Sequence, residues 1–330
     1  MACNGHAALW SRRAGEALKI VIPGGSGQVG QLLARTFKRH DHQVVVLGRQ
    51  ASAGVMAWDG QSLGDWAQEL DGADVVINLA GRSVNCRYTA ANMKDMMESR
   101  VNSTRVVGQA IELATVPPRV WLQMSTATIY AHRFDAANDE VTGIIGGNEP
   151  EVPAYWGYSI QIAQAWEKAL DEANTPRTRK VALRTAMVMS ADRGGIFDVL
   201  LKLVRTGLGG SMAGGKQYMS WIHGDDFVTA VDWLIAHDEV AGAINLAAPE
   251  PLPQAAFMRD LRKAAGVSIG LPATKWMAQV GAYFLRTDTE LTLKSRRVVP
   301  KRLLDAGFKF AFPSWPKAAD DLMRRWRAKT

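Results

Sequence analysis

The sequence predicts an α/β protein: a doubly wound parallel sheet followed by a smaller C-terminal domain. Three observations carry this. Between Lys19 and Leu47 an apolar run, a glycine-rich turn, an amphipathic stretch and a second apolar run follow one another directly. The same alternation of short apolar runs and helical stripes continues to Met189. Beyond residue 190 the pattern loosens, and five glycines fall between Gly207 and Gly215. A chain of 330 residues is long enough for roughly two domains. The expected division is a loose N-terminal extension at 1–17, the sheet domain at 18–190 and the smaller domain at 191–330. A strand near 243–247 is expected to return to the sheet.

The first unit is the most informative. KIVI (Lys19 to Ile22) runs into PGGSGQVG (Pro23 to Gly30). A helix follows with Val29, Leu32, Leu33 and Phe37 on one face, then QVVVL (Gln43 to Leu47) and Gly48-Arg49. Strand, glycine turn, helix and strand in this order mark a Rossmann-type dinucleotide site. Gly24, Gly25, Ser26, Gly27, Gln28, Val29 and Gly30 are its candidate cofactor-binding residues. Gly24 and Gly27 would admit a pyrophosphate close to backbone amides, at a helix N-terminus that favours anions. Gly30 would let the helix pack close to the sheet.

The residue after the second strand selects the cofactor. An acid there would bind the ribose 2′-OH of NAD and repel a 2′-phosphate. Here it is Arg49, and no acid lies between Gln43 and Gln50. A guanidinium matches phosphate as a planar fork. The reading is NADP(H); the plainer alternative for Arg49 is a solvated charge.

DVVINLAG (Asp74 to Gly81) reads as a buried parallel strand, preceded by a short helix at Leu63 to Leu70. A long helix covers Ala90 to Ala114, with Val101, Val106, Val107, Ala110 and Ile111 as its buried stripe, and Pro117-Pro118 stops it. VWLQMST (Val120 to Thr126) is a strand with a hydroxyl-bearing end. A helix from Tyr158 to Ala173 buries Ile162, Trp166, Ala169 and Leu170, and VALRTAMVM (Val181 to Met189) is one further strand. Asp225 or Asp226 is placed to cap a helix whose stripe includes Phe227, Val231 and Leu234. Helices are expected near Pro253 to Ala265 and Pro316 to Arg327.

Composition excludes several classes. The chain is 47% hydrophobic and 22% charged, as in soluble globular proteins. Cys3 and Cys86 are the only cysteines, too few for a metal site or disulfide framework, so a reducing, cytoplasmic setting is expected. No apolar run reaches membrane-spanning length. The net charge of +7 gathers late, in Lys294, Arg296, Arg297, Lys301, Arg302, Arg324, Arg325, Arg327 and Lys329. Interleaved apolar residues make these read as solvated helix faces, and no nucleic-acid motif accompanies them. The charge favours an anionic small-molecule substrate. The sequence leaves oligomeric state open.

PGGSGQVG, NLAG (Asn78 to Gly81), STATIY (Ser125 to Tyr130), LRTAMV (Leu183 to Val188) and WIHGDD (Trp221 to Asp226) resemble, in order, the motifs of extended short-chain dehydrogenases/reductases. NLAGRSVNCRY, ESRVNSTR (Glu98 to Arg105), TGLGGSMAGGKQYMSWIH (Thr206 to His223) and RRVVPKRLLDAGFKFAFP (Arg296 to Pro313) narrow the match. They resemble the YfcH-like, NADP-binding epimerase family with its extra C-terminal domain. The resemblance covers about residues 18 to 325. It implies NADP binding through Gly24, Gly27, Gly30 and Arg49, with Asn78, Leu79, Ala80 and Gly81 against the adenosine and ribose. It also implies oxidoreductase or sugar-nucleotide epimerase chemistry.

In that family a Ser or Thr hydroxyl polarises the substrate carbonyl, and a Tyr moves the proton. A Lys four residues on lowers the Tyr pKa. Thr126, beside Ser125, matches the hydroxyl and Tyr158 the phenol. Position 162 is isoleucine, however; Gln161 is the nearest polar group, and Lys168 falls on another face. Tyr155 and Tyr130 are followed at that spacing by Ser159 and Phe134. His132, His223 and Asp226 are weaker acid–base candidates. Arg82, Arg87 and Tyr88 would face cofactor phosphate or substrate, with Trp156, Met219 and Trp221 as an apolar wall.

The leading reading is an NADP(H)-dependent oxidoreductase or epimerase-like protein acting on a carbonyl or secondary alcohol. A non-catalytic NADPH-binding sensor or scaffold is the alternative that the missing Lys favours. A sugar-nucleotide epimerase proper is the third; such enzymes usually use NAD, which Arg49 opposes.

Overall fold

In a computed structural model, which describes residues 17–150, 152–274 and 290–329, a seven-stranded sheet organises the chain. Its strands are β1 (Lys19–Pro23), β2 (Gln43–Gly48), β3 (Val55–Ala57), β4 (Val75–Asn78), β5 (Val120–Thr126), β6 (Arg179–Thr185) and β10 (Gly242–Leu246). They lie in the order β10-β6-β5-β4-β1-β2-β3, and all neighbours run parallel. A parallel sheet must be covered on both faces, which is why β4 is buried at all four positions.

Alternate side chains divide the two cores. Ile20, Ile22, Val75, Ile77, Val120 and Leu122 face α1 (Gln28–Arg39) and α5 (Gly224–Ala236). Val21, Val76 and Trp121 face α2 (Ala90–Leu113) and the end of α3 (Trp156–Asp171). The predicted Leu63–Leu70 helix is a short 3-10 helix, Asp65–Leu70.

Residues 181–189 form two strands rather than the single one expected. After Thr185 the Ala186 N–H bonds Leu246 O, and the Met187 N–H bonds Ser220 O. The chain thereby leaves the main sheet, and β7 (Met187–Met189) pairs with β9 (Trp221–His223). The apolar run continues through the crossing, so its pattern carries no mark of it. β8 (Tyr218–Met219) pairs with β11 (Leu252–Pro253).

Another core gathers α4 (Ile196–Arg205), α6 (Gln254–Ala265) and α9 (Trp315–Ala328). Phe257 and Trp315 stack there at 3.8 Å. Between α6 and α9 lie α7 (Glu290–Leu293) and α8 (Lys301–Asp305). The return to the first core is wider than one strand: α5, β10, Leu303 and Phe308 all join it. Among the described residues no helix is long and apolar enough to cross a membrane. The expected N-terminal extension lies outside the described residues but for Ala17.

Candidate functional site

β1 is flanked by β2 on one side and β4 on the other, so the strand order reverses at its carboxyl end. Such a reversal opens the crevice where α/β sheets bind ligands. The glycine turn lies there. Gly24 has φ +76°, and a Cβ on it would sit 2.7 Å from the Ala80 backbone. Ser26, Gly27 and Gln28 are exposed, and the nearest atom to a Cβ on Gly27 would be Gly24 O at 3.4 Å. The turn is therefore open to a ligand at Gly27. Gly25 is buried, and Val29 is half-buried behind it. Gly27 is the N-cap of α1 and supplies no side-chain cap to the first-turn amides.

Gly30 is buried, and a Cβ there would lie 2.4 Å from Gly25 Cα and 2.6 Å from Gly25 O. The missing side chain lets the helix approach the turn in which β1 ends. At the end of β2 the Gly24 N–H donates to Leu47 O at 2.9 Å, which holds this strand end against the turn. Arg49 follows it, exposed.

At the end of β4, Asn78 is fully buried. Its amide donates to Gln123 Oε1 at 3.0 Å and its Oδ1 accepts from the Ala80 N–H at 3.0 Å. Asn78 shapes the turn; Leu79 and Ala80 are half-buried and Gly81 exposed beyond it. A half-buried arginine, Arg100, backs Gly81 and lies 5.0 Å over the Trp166 ring; desolvation lowers its pKa to about 10.

Thr126 ends β5, half-buried, and its Oγ1 accepts from the Thr128 N–H at 3.1 Å. Its hydroxyl proton remains to be donated. Ser125 instead donates to Glu167 Oε1 at 2.6 Å, and Glu167 takes a two-pronged contact from Arg184, at 2.9 and 2.7 Å. Arg184 also donates to the Tyr130 hydroxyl, which donates to Asn245 Oδ1. Tyr130 thus belongs to a buried network joining β5, β6 and β10, which periodicity alone does not reveal.

Tyr158 lies in the first turn of α3, half-buried. Burial, then the Glu98 carboxylate, raise its pKa above the ordinary phenol value. Ile162 is buried in the core face, Gln161 is exposed, and Lys168 points to solvent beside Glu172. The Tyr155 and Tyr88 rings meet edge-on at 6.5 Å, so the 81–89 loop stands over the start of α3.

Several other candidates have structural roles. His223 Nδ1 accepts from the Asp225 N–H at 3.1 Å, so His223 caps α5 in place of either aspartate. Its ring stacks on Phe312 at 3.9 Å. Asp226 accepts from the Ala311 and Phe312 N–H groups at 2.8 and 2.9 Å, anchoring the C-terminal segment. His132 Nδ1 accepts from the Ser295 N–H at 2.8 Å, and burial lowers its pKa. Arg82 is tied to Asp95 and Asn92 of α2. The expected wall does not form: Trp221 and Met219 pack with the C-terminal core, whereas Trp156 packs on His132.

The late basic residues are not all solvated. Lys294 is 2% exposed and Arg296 half-buried, and both reach Thr128. Among the described residues no group of three His, Cys, Asp or Glu side chains is arranged to hold a metal ion.

The model of the NAD dependent epimerase/dehydratase family matches residues 20–247, and that of a domain of unknown function (DUF1731) matches residues 273–322. The epimerase family protein SDR39U1 of Bos taurus is 28% identical over 312 residues, 93% of this chain and 100% of its own. The crystal structure of human epimerase family protein SDR39U1 (isoform 2) with NADPH superposes with a TM-score of 0.82 at 26% identity, covering 93% of this chain and 99% of that one. A nucleoside-diphosphate sugar epimerase from Corynebacterium glutamicum gives 0.74 at 26% identity, over 94% of this chain and 59% of that one.

Proposed function

Because this chain belongs to the NAD dependent epimerase/dehydratase family, we propose that it binds NADP(H) and reduces a carbonyl, or oxidises a secondary alcohol, of a small and preferably anionic substrate. The observation that carries this is the glycine turn at the β1/β4 reversal, open at Gly27, with the exposed Arg49 beside it. The residues fit the cofactor. The amides of Gln28, Val29 and Gly30 would meet the pyrophosphate, and Arg49 the 2′-phosphate. Ala80 and Gly81 would lie along the adenosine ribose. A solved relative with NADPH supports the same choice.

When bound, the nicotinamide supplies or accepts the hydride. The chain's own residues handle the oxygen and the proton. Thr126 Oγ1 already accepts from Thr128, so its O–H is free to donate to a substrate oxygen. Burial and the Glu98 carboxylate raise the Tyr158 pKa, so its phenol can hydrogen-bond the substrate oxygen but is a weaker proton donor than a tyrosine assisted by a lysine. A second reading, an NADPH-binding sensor without turnover, is favoured by Ile162 in place of a cation on α3.

Titration with NADPH and NADH, in the unaltered chain and in Arg49→Asp, tests the cofactor assignment. NADPH is expected to bind more tightly than NADH, and Arg49→Asp to weaken NADPH by about 10- to 100-fold while sparing NADH. Equal affinities in the unaltered chain would overturn it. NADPH consumption across a panel of carbonyl compounds then separates enzyme from sensor.

A further inference from the structure

A buried cation does reach the end of β5, and it comes from the C-terminal segment. Lys294 Nζ donates to Thr128 O at 2.8 Å. It lies 3.7 Å from Glu290 Oε1, one helical turn earlier, and each side chain is 1% exposed. Glu290 Oε2 accepts from Ser159 Oγ at 2.5 Å. Arg296 Nε donates to Thr128 Oγ1 at 3.1 Å. Ser159 adjoins Tyr158, and the Thr128 N–H bonds Thr126. One line of contacts therefore runs from Thr126 through Thr128, Lys294 and Glu290 to Ser159. Around it Val298 packs with Ala127, Ile129 and Ala163.

Taking two opposite charges out of water costs much of what their attraction returns, and an apolar pair often serves stability as well. What an apolar pair lacks is directed bonds to two separate elements. We propose that Glu290 and Lys294 form a clamp by which the C-terminal segment fixes the Thr126 turn against the start of α3, as positioning residues of the site. The catalytic meaning of the clamp rests on the reading of Thr126 and Tyr158 as substrate-facing.

The clamp has a pH-dependent element. The groups facing Lys294 are Glu290 on its own segment, Arg296, Glu149 from the loop before α3, and His132 after β5. Burial, then Arg296, lower the Lys294 pKa to about 8, against the opposing pull of Glu290 and Glu149. Above that value the cation is lost and Glu290 is left without it.

Hydrogen–deuterium exchange of residues 126–131 in the full chain, corrected for intrinsic rates, reads the clamp without any substrate. Protection in the unaltered chain should fall about tenfold between one unit below and one unit above the Lys294 pKa. Lys294→Arg, which stays charged, should hold protection across that range. Lys294→Met should lack it throughout, a local loss exceeding any change in the β1 and β4 amides. Should Lys294→Met not fold, Glu290→Leu/Lys294→Leu removes both charges of the pair and should show the same local loss. Unaltered protection in these variants, or a pH-dependent loss that persists in Lys294→Arg, would overturn the clamp. With a carbonyl substrate in hand, kcat should fall with the protection while NADPH affinity stays. Protection lost with kcat intact would sustain the clamp and refute the substrate-facing reading of Thr126.

Discussion

Gly27 and Gly30 sit three residues apart and meet opposite surroundings. A Cβ on Gly27 would touch only Gly24 O, at 3.4 Å, and the residue's backbone is extended at φ −71°, ψ 168°. Valine can adopt that conformation at the cost of a poor N-cap, about 1 kcal/mol. Gly27→Val is therefore expected to fold and to lose NADPH binding, because the new methyls fill the place proposed for the pyrophosphate. Gly30→Ala faces a different balance. Alanine gains about 1 kcal/mol in helix propensity. Its Cβ would meet Gly25 Cα at 2.4 Å, and backbone has no rotamer with which to yield. Overpacking of that kind costs about 1–3 kcal/mol, so a net loss of stability is expected. Urea denaturation and NADPH titration of the two variants check this. A Gly30→Ala protein as stable as the parent, or a folded Gly27→Val that binds NADPH normally, would show that the turn is used otherwise.

The joint between β9 and α5 shows how one residue type can stand in for another. Aspartates are the usual caps, yet His223 takes the position and leaves Asp225 to Arg325 and Asp226 to the Ala311–Phe312 backbone. Burial lowers the His223 pKa below its ordinary 6.5, and His132 is lowered for the same reason. A histidine with a depressed folded pKa adds stability that is complete above the unfolded value and is lost as pH falls through the folded one. The protein should thus lose stability on acidification below about 6.5. His223→Asn, which keeps an N-cap acceptor, should flatten part of that acid limb. Denaturant midpoints at about pH 7.5 and about pH 5 provide the measurement, and an unchanged limb in His223→Asn would exclude His223 as a contributor. The same joint marks where sequence patterns stop being informative. β1, β2, β4 and β5 fall where short apolar runs put them, and α1 and α2 where an apolar stripe repeats, because burial marks each of them locally. The β6–β7 break, the His223 cap and the buried Lys294 leave no periodic trace. The first and the last depend on distant partners, such as Ser220 for Met187 and Thr128, 166 residues away, for Lys294.

At the scale of the whole molecule the segment after Lys294 is interlocked with the sheet. Leu303 and Phe308 complete the core under β1 and β4, although they follow most of the C-terminal core in sequence. Arg302 donates to Ala243 O on β10 at 2.7 Å, and Asn138 exchanges backbone bonds with Arg297 and Val299. The site itself has this character, since the turn after β5 is gripped by residues 294–296. The glycine turn was legible because a dinucleotide cradle is local; this half of the site was not, because it assembles from distant segments. Asp226 is the most economical place to test the interlock. It lies on α5, whose neighbours Phe227, Val228 and Val231 belong to the first core, and its carboxylate holds the 311–312 backbone that leads into α9 of the second. Two bonds from a buried carboxylate to backbone amides are together worth about 2–4 kcal/mol. If the cores fold as one unit, Asp226→Ala should lower the stability of both by the same amount. Exchange rates of β1 and β4 amides, and of α9 amides, should then rise together, in a single denaturation transition. A variant in which α9 opens while β1 and β4 keep full protection would mean that the C-terminal core is a separate folding unit, attached to the sheet rather than built into it.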